Sequence, residues 1–258
     1  MFTGYNCDFG LTSTDYATHR AGFPDIFMRR IGESAGLAPG LRLLDLGTGT
    51  GTLARGFARL GARVTGLDLS PQMLCEAARL TREEGLEIEF LAGDAAAIAL
   101  PDESFDLVTA GQCWHWFDAA ATGRELRRVL RPGGRVVIGH FDWLPLPGNV
   151  VQATEDLIRA FSPDWPMGGR SGLYPRWLSD LAVAGFIGIE SHSFDLDQPY
   201  RAEDWRGRVR ASAGVGGSLD AETVARFDAA LAEILARDFP GERLAVPHRC
   251  WWVEAVNP

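Results

Sequence analysis

Cysteine is scarce and scattered: Cys7, Cys75, Cys113 and Cys250 are the four in 258 residues, and no two form a C-x-x-C pair. That spacing offers neither a zinc site nor a disulfide framework, so no metal is expected. A basic excess is also missing. Lysine and arginine total 25 against 34 acids, a formal charge of −9. Such a balance argues against a nucleic acid or an anionic membrane surface as the main partner. No apolar run approaches the ~20 residues of a membrane span. Met1 to Gly10 lack the basic start and apolar core of a secretory leader, and a reducing cytoplasm is the expected compartment. There is no internal repeat. With 46% hydrophobic residues the chain can bury one large domain, or one domain with a sizeable insertion.

Against these absences stands one dense stretch, Leu43-Leu44-Asp45-Leu46-Gly47-Thr48-Gly49-Thr50-Gly51-Thr52-Leu53. An apolar run ends in an acid and then in three alternate glycines. Leu53, Phe57 and Leu60 follow at helical spacing, and Gly61 stops them. Strand, glycine turn and helix start in this order make a nucleotide-binding crossover, in which backbone N–H groups face a ligand. A tight turn that binds nothing is the alternative. The dinucleotide pattern G-x-G-x-x-G is absent, because the third glycine comes one residue early and Thr52 stands in its place. No phosphate loop of the G-x-x-x-x-G-K-[ST] type occurs.

Strand 1 is expected at 41–46, helix A at 51–60 and strand 2 at 63–68. Asp68, at the end of strand 2, is placed to accept hydrogen bonds from ribose hydroxyls. It could instead be a helix-start acid, but Ser70-Pro71 already supplies cap and first turn for a helix over 71–82. Residues 87–92 alternate as strand 3 and lead to Gly93-Asp94-Ala95. Residues 104–110 form strand 4 and run into Gly111-Gln112-Cys113-Trp114-His115-Trp116-Phe117-Asp118, with Asp118 able to cap the next helix. Strand 5 is expected at 135–140, followed by an irregular connection over 141–147. Helices at 148–161 and 174–184, strand 6 at 186–197, helices at about 201–212 and 220–238, and a last strand from Leu244 complete the reading.

Asp45 to Gly51 resembles the first motif of class I S-adenosylmethionine (SAM)-dependent methyltransferases. The Gln112-x-x-His115-Trp116-Phe117 stretch, followed by Leu130-Arg131-Pro132-Gly133-Gly134, is similar to the methyltransferase domain 11 group. That group includes enzymes resembling trans-aconitate and related carboxyl methyltransferases. The resemblance is strong over roughly 40–140 and weak elsewhere. It implies an α/β fold: a doubly wound, Rossmann-like seven-stranded sheet in one domain over 1–258. An N-terminal helical flap would occupy 1–40, a SAM-binding core 41–140 and a substrate-side half 141–258, with a helical insertion at about 200–240.

The implied cofactor is S-adenosyl-L-methionine, with S-adenosyl-L-homocysteine as its product. The residues that would hold it are Asp45, Gly47, Thr48, Gly49, Thr50, Gly51, Asp68, Leu69, Met73, Gly93, Asp94, Ala95 and Gln112. Asp94 falls where the class sets an acid against the adenine amino group; a simple turn aspartate is the alternative. Tyr16 and Arg20 match a Tyr-x-x-x-Arg segment that many small-molecule methyltransferases carry ahead of the first motif, so Arg20 would reach the methionine carboxylate from the flap.

For the acceptor side, His115 is a candidate general base or orienting group. Trp114 and Trp116 could frame a sulfonium by cation–π contact, although aromatics after a strand also serve as core. Arg206 and Arg210 share a helix face at i, i+4 and could fork a substrate carboxylate, or form a solvated face beside Glu203 and Asp204. Trp143 and Trp205 could wall the acceptor. The expected activity is methyl transfer to a small molecule; a non-catalytic SAM-binding regulator and a nicotinamide oxidoreductase are the competing readings. Oligomeric state is not legible.

Overall fold

The computed structural model describes residues 22–258; the flap residues Tyr16 and Arg20 lie outside them. The first described helix, α1 (Asp25–Ala35), starts after Pro24 and stops at Gly36, whose left-handed backbone (φ 68°) closes the helix end. The alternating elements then follow: β1 (Arg42–Leu46), α2 (Thr52–Arg59), β2 (Arg63–Asp68), α3 (Pro71–Glu83), β3 (Ile88–Ala92), β4 (Phe105–Gly111), α4 (Ala119–Val129) and β5 (Leu130–Trp143). The second half holds α5 (Val150–Phe161), α6 (Pro175–Val183), β6 (Ile187–Tyr200), α7 (Ala202–Arg210), α8 (Ala221–Asp238) and β7 (Leu244–Val256).

The seven strands order as β3-β2-β1-β4-β5-β7-β6, with β7 antiparallel to both neighbours. Period-two alternation sends successive residues to opposite faces. Leu43 and Leu107 pair in register and pack with Phe27, Ile31 and Phe57 of α1 and α2. Leu44 and Val108, one residue on, pack with Leu126, Val129, Trp177 and Leu181 of α4 and α6. A third apolar cluster joins α5, α7 and α8 through Val151, Ile158, Trp205, Phe227 and Leu231. The helix pair between β6 and β7 is therefore the expected insertion, and it shares a core of its own with α5.

Side-chain caps set the helix starts. Ser70 accepts from the Met73 N–H, Asp118 from Ala120 and Ala121, Asn149 from Gln152 and Asp220 from Thr223. One boundary matters for function. β5 runs three residues beyond the expected end at 140, because its pairing with β7 continues through Asp142↔Arg249 and Trp143↔His248. No described helix is long and apolar enough to cross a membrane.

Candidate active site

Register fixes the site. Leu67 pairs with Leu46, Leu46 with Ala110, and Ala110 with Ile138. Two residues further along the chain from each come Leu69, Thr48, Gln112 and His140, at the carboxyl edge. In open α/β sheets this edge is where ligands bind, at the point where strand order reverses between β1 and β4.

The turn after β1 has all three glycines left-handed, with φ of 58° at Gly47, 56° at Gly49 and 79° at Gly51. A Cβ on Gly47 would meet the Cys113 side chain at 2.9 Å, whereas one on Gly49 would meet nothing within 4 Å. Gly47 thus serves packing, and Gly49 faces open space. The sequence led to an expectation that the turn's N–H groups face a ligand, which needs correcting. Gly49 donates to Asp68 Oδ2 (2.8 Å) and Gly51 to the Thr48 carbonyl (2.8 Å).

Asp45 is buried under the turn, accepting from Thr48 and Thr109 hydroxyls at 2.7 Å each. Burial raises its pKa; the two hydroxyls, and the Ala54 N–H of the first turn of α2, pull the other way. The carboxyl settles at about 6. Asp68 bridges two loops, accepting from Gly49 and from Ser70 N–H (2.8 Å). Each carboxylate oxygen offers about two acceptor sites, so both retain capacity. Asp94 makes the turn bond to the Ala96 N–H (2.8 Å). Ala95 is core, Met73 half-buried, and Leu69 stands 70% exposed at the end of β2. Gln112 is one of two non-glycine residues among those described with a left-handed backbone (φ 58°), and its side chain donates to the Phe141 carbonyl at 3.2 Å. Non-glycine strain of this kind concentrates at functional sites.

On the acceptor side several expectations fail. Trp114 is buried, donating to Asp180 of α6 (3.1 Å), so it is core and cannot frame a ligand. Trp116 is 41% exposed at the rim. Trp205 is fully buried and donates to Thr154 (3.0 Å). Trp143 lies edge-on to it and donates to Glu155 (2.9 Å), packed against the helical cluster. Arg206 and Arg210 do share a face, but the carboxylate in their fork is the protein's own Asp228 on α8: Arg210 Nη1 to Oδ1 is 2.7 Å, and Arg206 binds both oxygens. The arginines neutralise a partly buried acid and hold α7 to α8.

His115 sits on a short 3₁₀ turn, Trp114–Trp116, with its ring 5.8 Å from that of His140. His140 leads to the group that the sequence reading missed. Its Nδ1 lies 2.8 Å from Asp142 Oδ1, and the Tyr174 hydroxyl donates to the other oxygen of Asp142. Tyr174 stacks on Trp177 at 4.2 Å between ring centres. Burial alone would raise the Asp142 pKa; charge and hydrogen bonding from His140, with the Tyr174 hydroxyl, outweigh it and set the carboxyl at about 2. Burial and the Asp142 charge push the Tyr174 hydroxyl up. The available signal was the strand-end rule, had β5 been extended to Trp143.

A mixed sheet of this order, with an acid-flanked glycine turn at its switch point, defines a Rossmann-like protein built for an adenosyl ligand. The methyltransferase-domain family model matches residues 44–138. A demethylmenaquinone methyltransferase of Streptomyces griseus is 33% identical over 167 residues, 63% of this chain and 68% of that one. One from Thermus thermophilus is 46% identical over 103 residues, 39% of this chain and 47% of that protein, so the match spans about half of that relative. The fold is similar to that of a putative methyltransferase from an antibiotic biosynthesis pathway of Anabaena variabilis, with TM-score 0.65 at 20% identity over 89% of this chain and 97% of the other. The chain belongs to the class I SAM-dependent methyltransferases.

Proposed function

We propose that the protein transfers a methyl group from S-adenosyl-L-methionine to a small-molecule acceptor. The observation that carries this reading is the set of three acids, Asp45, Asp68 and Asp94, at or just past the ends of β1, β2 and β3, together with the open space over Gly49. In this reading Asp68 turns its remaining acceptor capacity to the ribose hydroxyls. Leu69 and Met73 pack on the adenine, Gly93 and Ala95 border it, and Asp94 accepts from its amino group. Thr48, Thr50 and Gln112 face the amino-acid portion, with Arg20 and Tyr16 closing from the flap. Asp45 holds the turn's shape through Thr48 and does not need to touch the ligand. When bound, the sulfonium supplies both an electrophilic methyl and its own leaving group; the chain's part is to align an acceptor and exclude water.

A demethylmenaquinone-like acceptor is one candidate, suggested by the names of two relatives. A carboxylate-bearing acceptor of the trans-aconitate type loses its main support, because the Arg206 and Arg210 fork is occupied by Asp228. The charge of −9 favours a small molecule over nucleic acid, and the free thiols of Cys75 and Cys250 suit a reducing cytoplasm. Calorimetry with S-adenosylhomocysteine is the test. Heat from the folded protein, lost in Asp68→Ala, is expected; none from the native chain, or equal heat from NAD, overturns the reading. Labelled SAM with a metabolite extract then separates turnover from storage.

A further inference from the structure

The Asp142, His140 and Tyr174 cluster is not needed to hold the cofactor, and burying it costs desolvation that a merely structural site would avoid with apolar residues. Asp142 receives both other groups, so the imidazole is held with Nδ1–H toward the carboxylate. No hydrogen bond is made by His140 Nε2 among the described residues, the contacts of the ring to Asp142 and Tyr174 both being at Nδ1. The residue is otherwise 7% exposed, among aromatic rings: Tyr174 at 4.4 Å and Trp177 at 5.7 Å. Three of the large apolar side chains that the structure leaves exposed, Trp116, Leu146 and Leu173, stand on the loops that leave β4 and β5 and lead into α6. A polar nitrogen with its orientation fixed from behind, in an apolar surround, suits an apolar acceptor with one ionisable hydroxyl.

We propose that His140, positioned by Asp142 and Tyr174, is the general base that ionises a phenolic or enolic hydroxyl of the acceptor. The inference rests on the methyltransferase reading and deepens it. The acceptor O–H bond breaks, an N–H bond forms at Nε2, and the electron pair stays on oxygen as the nucleophile. The imidazolium charge is countered by Asp142, which remains ionised throughout. The other groups around the pair do not displace it from this role. His248 on β7 is neutral, its pKa lowered to about 4 by burial, with Nδ1 on the Val246 carbonyl. Arg170 stands near Asp142 and Tyr174 on the segment before α6, and His115 faces from the β4 loop.

4-Nitrophenol reports the step directly, because its anion absorbs visible light. Added to the native protein, with and without S-adenosylhomocysteine, it should half-ionise about one pH unit lower than in buffer, a tenfold change in the ratio of anion to phenol. The methyl ether, 4-nitroanisole, should show no change. His140→Asn and Asp142→Asn should lose the shift while keeping the S-adenosylhomocysteine heat. A shift that survives in His140→Asn, or its absence in the native protein, overturns the proposal. Should either variant fail to fold, His140→Gln and Asp142→Ala take their places with the same two readouts. Loss of S-adenosylhomocysteine heat in the native chain strikes the methyltransferase reading instead, and the optical readout without that ligand remains valid.

Discussion

Gly47 and Gly49 are two positions apart, have nearly the same backbone angle, and do different work. A methyl on either meets left-handed strain of about 1–2 kcal/mol. On Gly47 it also collides with Cys113. On Gly49 it projects into the space assigned to the cofactor. Gly47→Ala should therefore lower the melting temperature more than Gly49→Ala, as overpacking adds about 1–3 kcal/mol. Gly49→Ala should remain folded and lose S-adenosylhomocysteine heat. Equal melting temperatures, or undiminished binding in Gly49→Ala, would refute that division of labour; scanning calorimetry and titration on both variants provide the check.

Between elements, the clearest tie is Asp228 with Arg206 and Arg210. Two arginines about one turn apart on α7 meet a single acid on α8, at side-chain exposures of 17–29%. The two guanidiniums depress the Asp228 pKa against the opposing effect of burial. Asp228→Ala removes the carboxylate that both arginines share. The expected cost is about 2 kcal/mol, below the range for a fully buried pair because water still screens the site. In a chain of this size that amounts to a fall of about 5 °C in melting temperature. Cofactor affinity should not change, since the insertion does not touch the glycine turn. A tenfold loss of S-adenosylhomocysteine affinity in this variant would show that the helix pair does more than pack.

For the whole molecule, two carboxylates with opposite shifts, Asp45 buried and Asp142 half-buried, shape the dependence of stability on pH. Folded Asp45 keeps its proton up to about pH 6, whereas the unfolded chain releases it near the ordinary aspartate value of about 4. Between those values the folded state binds more protons, so stability falls as pH rises, by up to about 3 kcal/mol. Asp142 acts in the other direction. It stays ionised in the fold down to about pH 2, so below about pH 4 the unfolded state binds more protons and stability falls as pH drops. The unliganded protein should therefore melt highest near pH 4 as far as these two groups decide. Asp45→Asn should flatten the descent between pH 4 and 6, and a melting curve with unchanged slope there would contradict the account.

Much of this architecture was legible in the residues alone. Strand alternation, the helical spacing of Leu53 and Phe57, and capping by Ser70 and Asp118 are local signals, each written within a few positions of the element it sets. The acids at three strand ends were equally readable, because the rule that places ligands at carboxyl edges needs only element order. What the tertiary structure alone decided lies in contacts across long stretches of chain. Tyr174 meets Asp142 from 32 residues away, and Arg206 finds Asp228 after 22. Trp114 turns into the core because Asp180 waits there, 66 residues on. The last three residues of β5 are strand only because β7 pairs with them. Local pattern carries no information about which distant group will satisfy a buried charge or a strand edge, so the acids at the strand ends could be foreseen and the partners of Trp114, Arg206 and Asp142 could not.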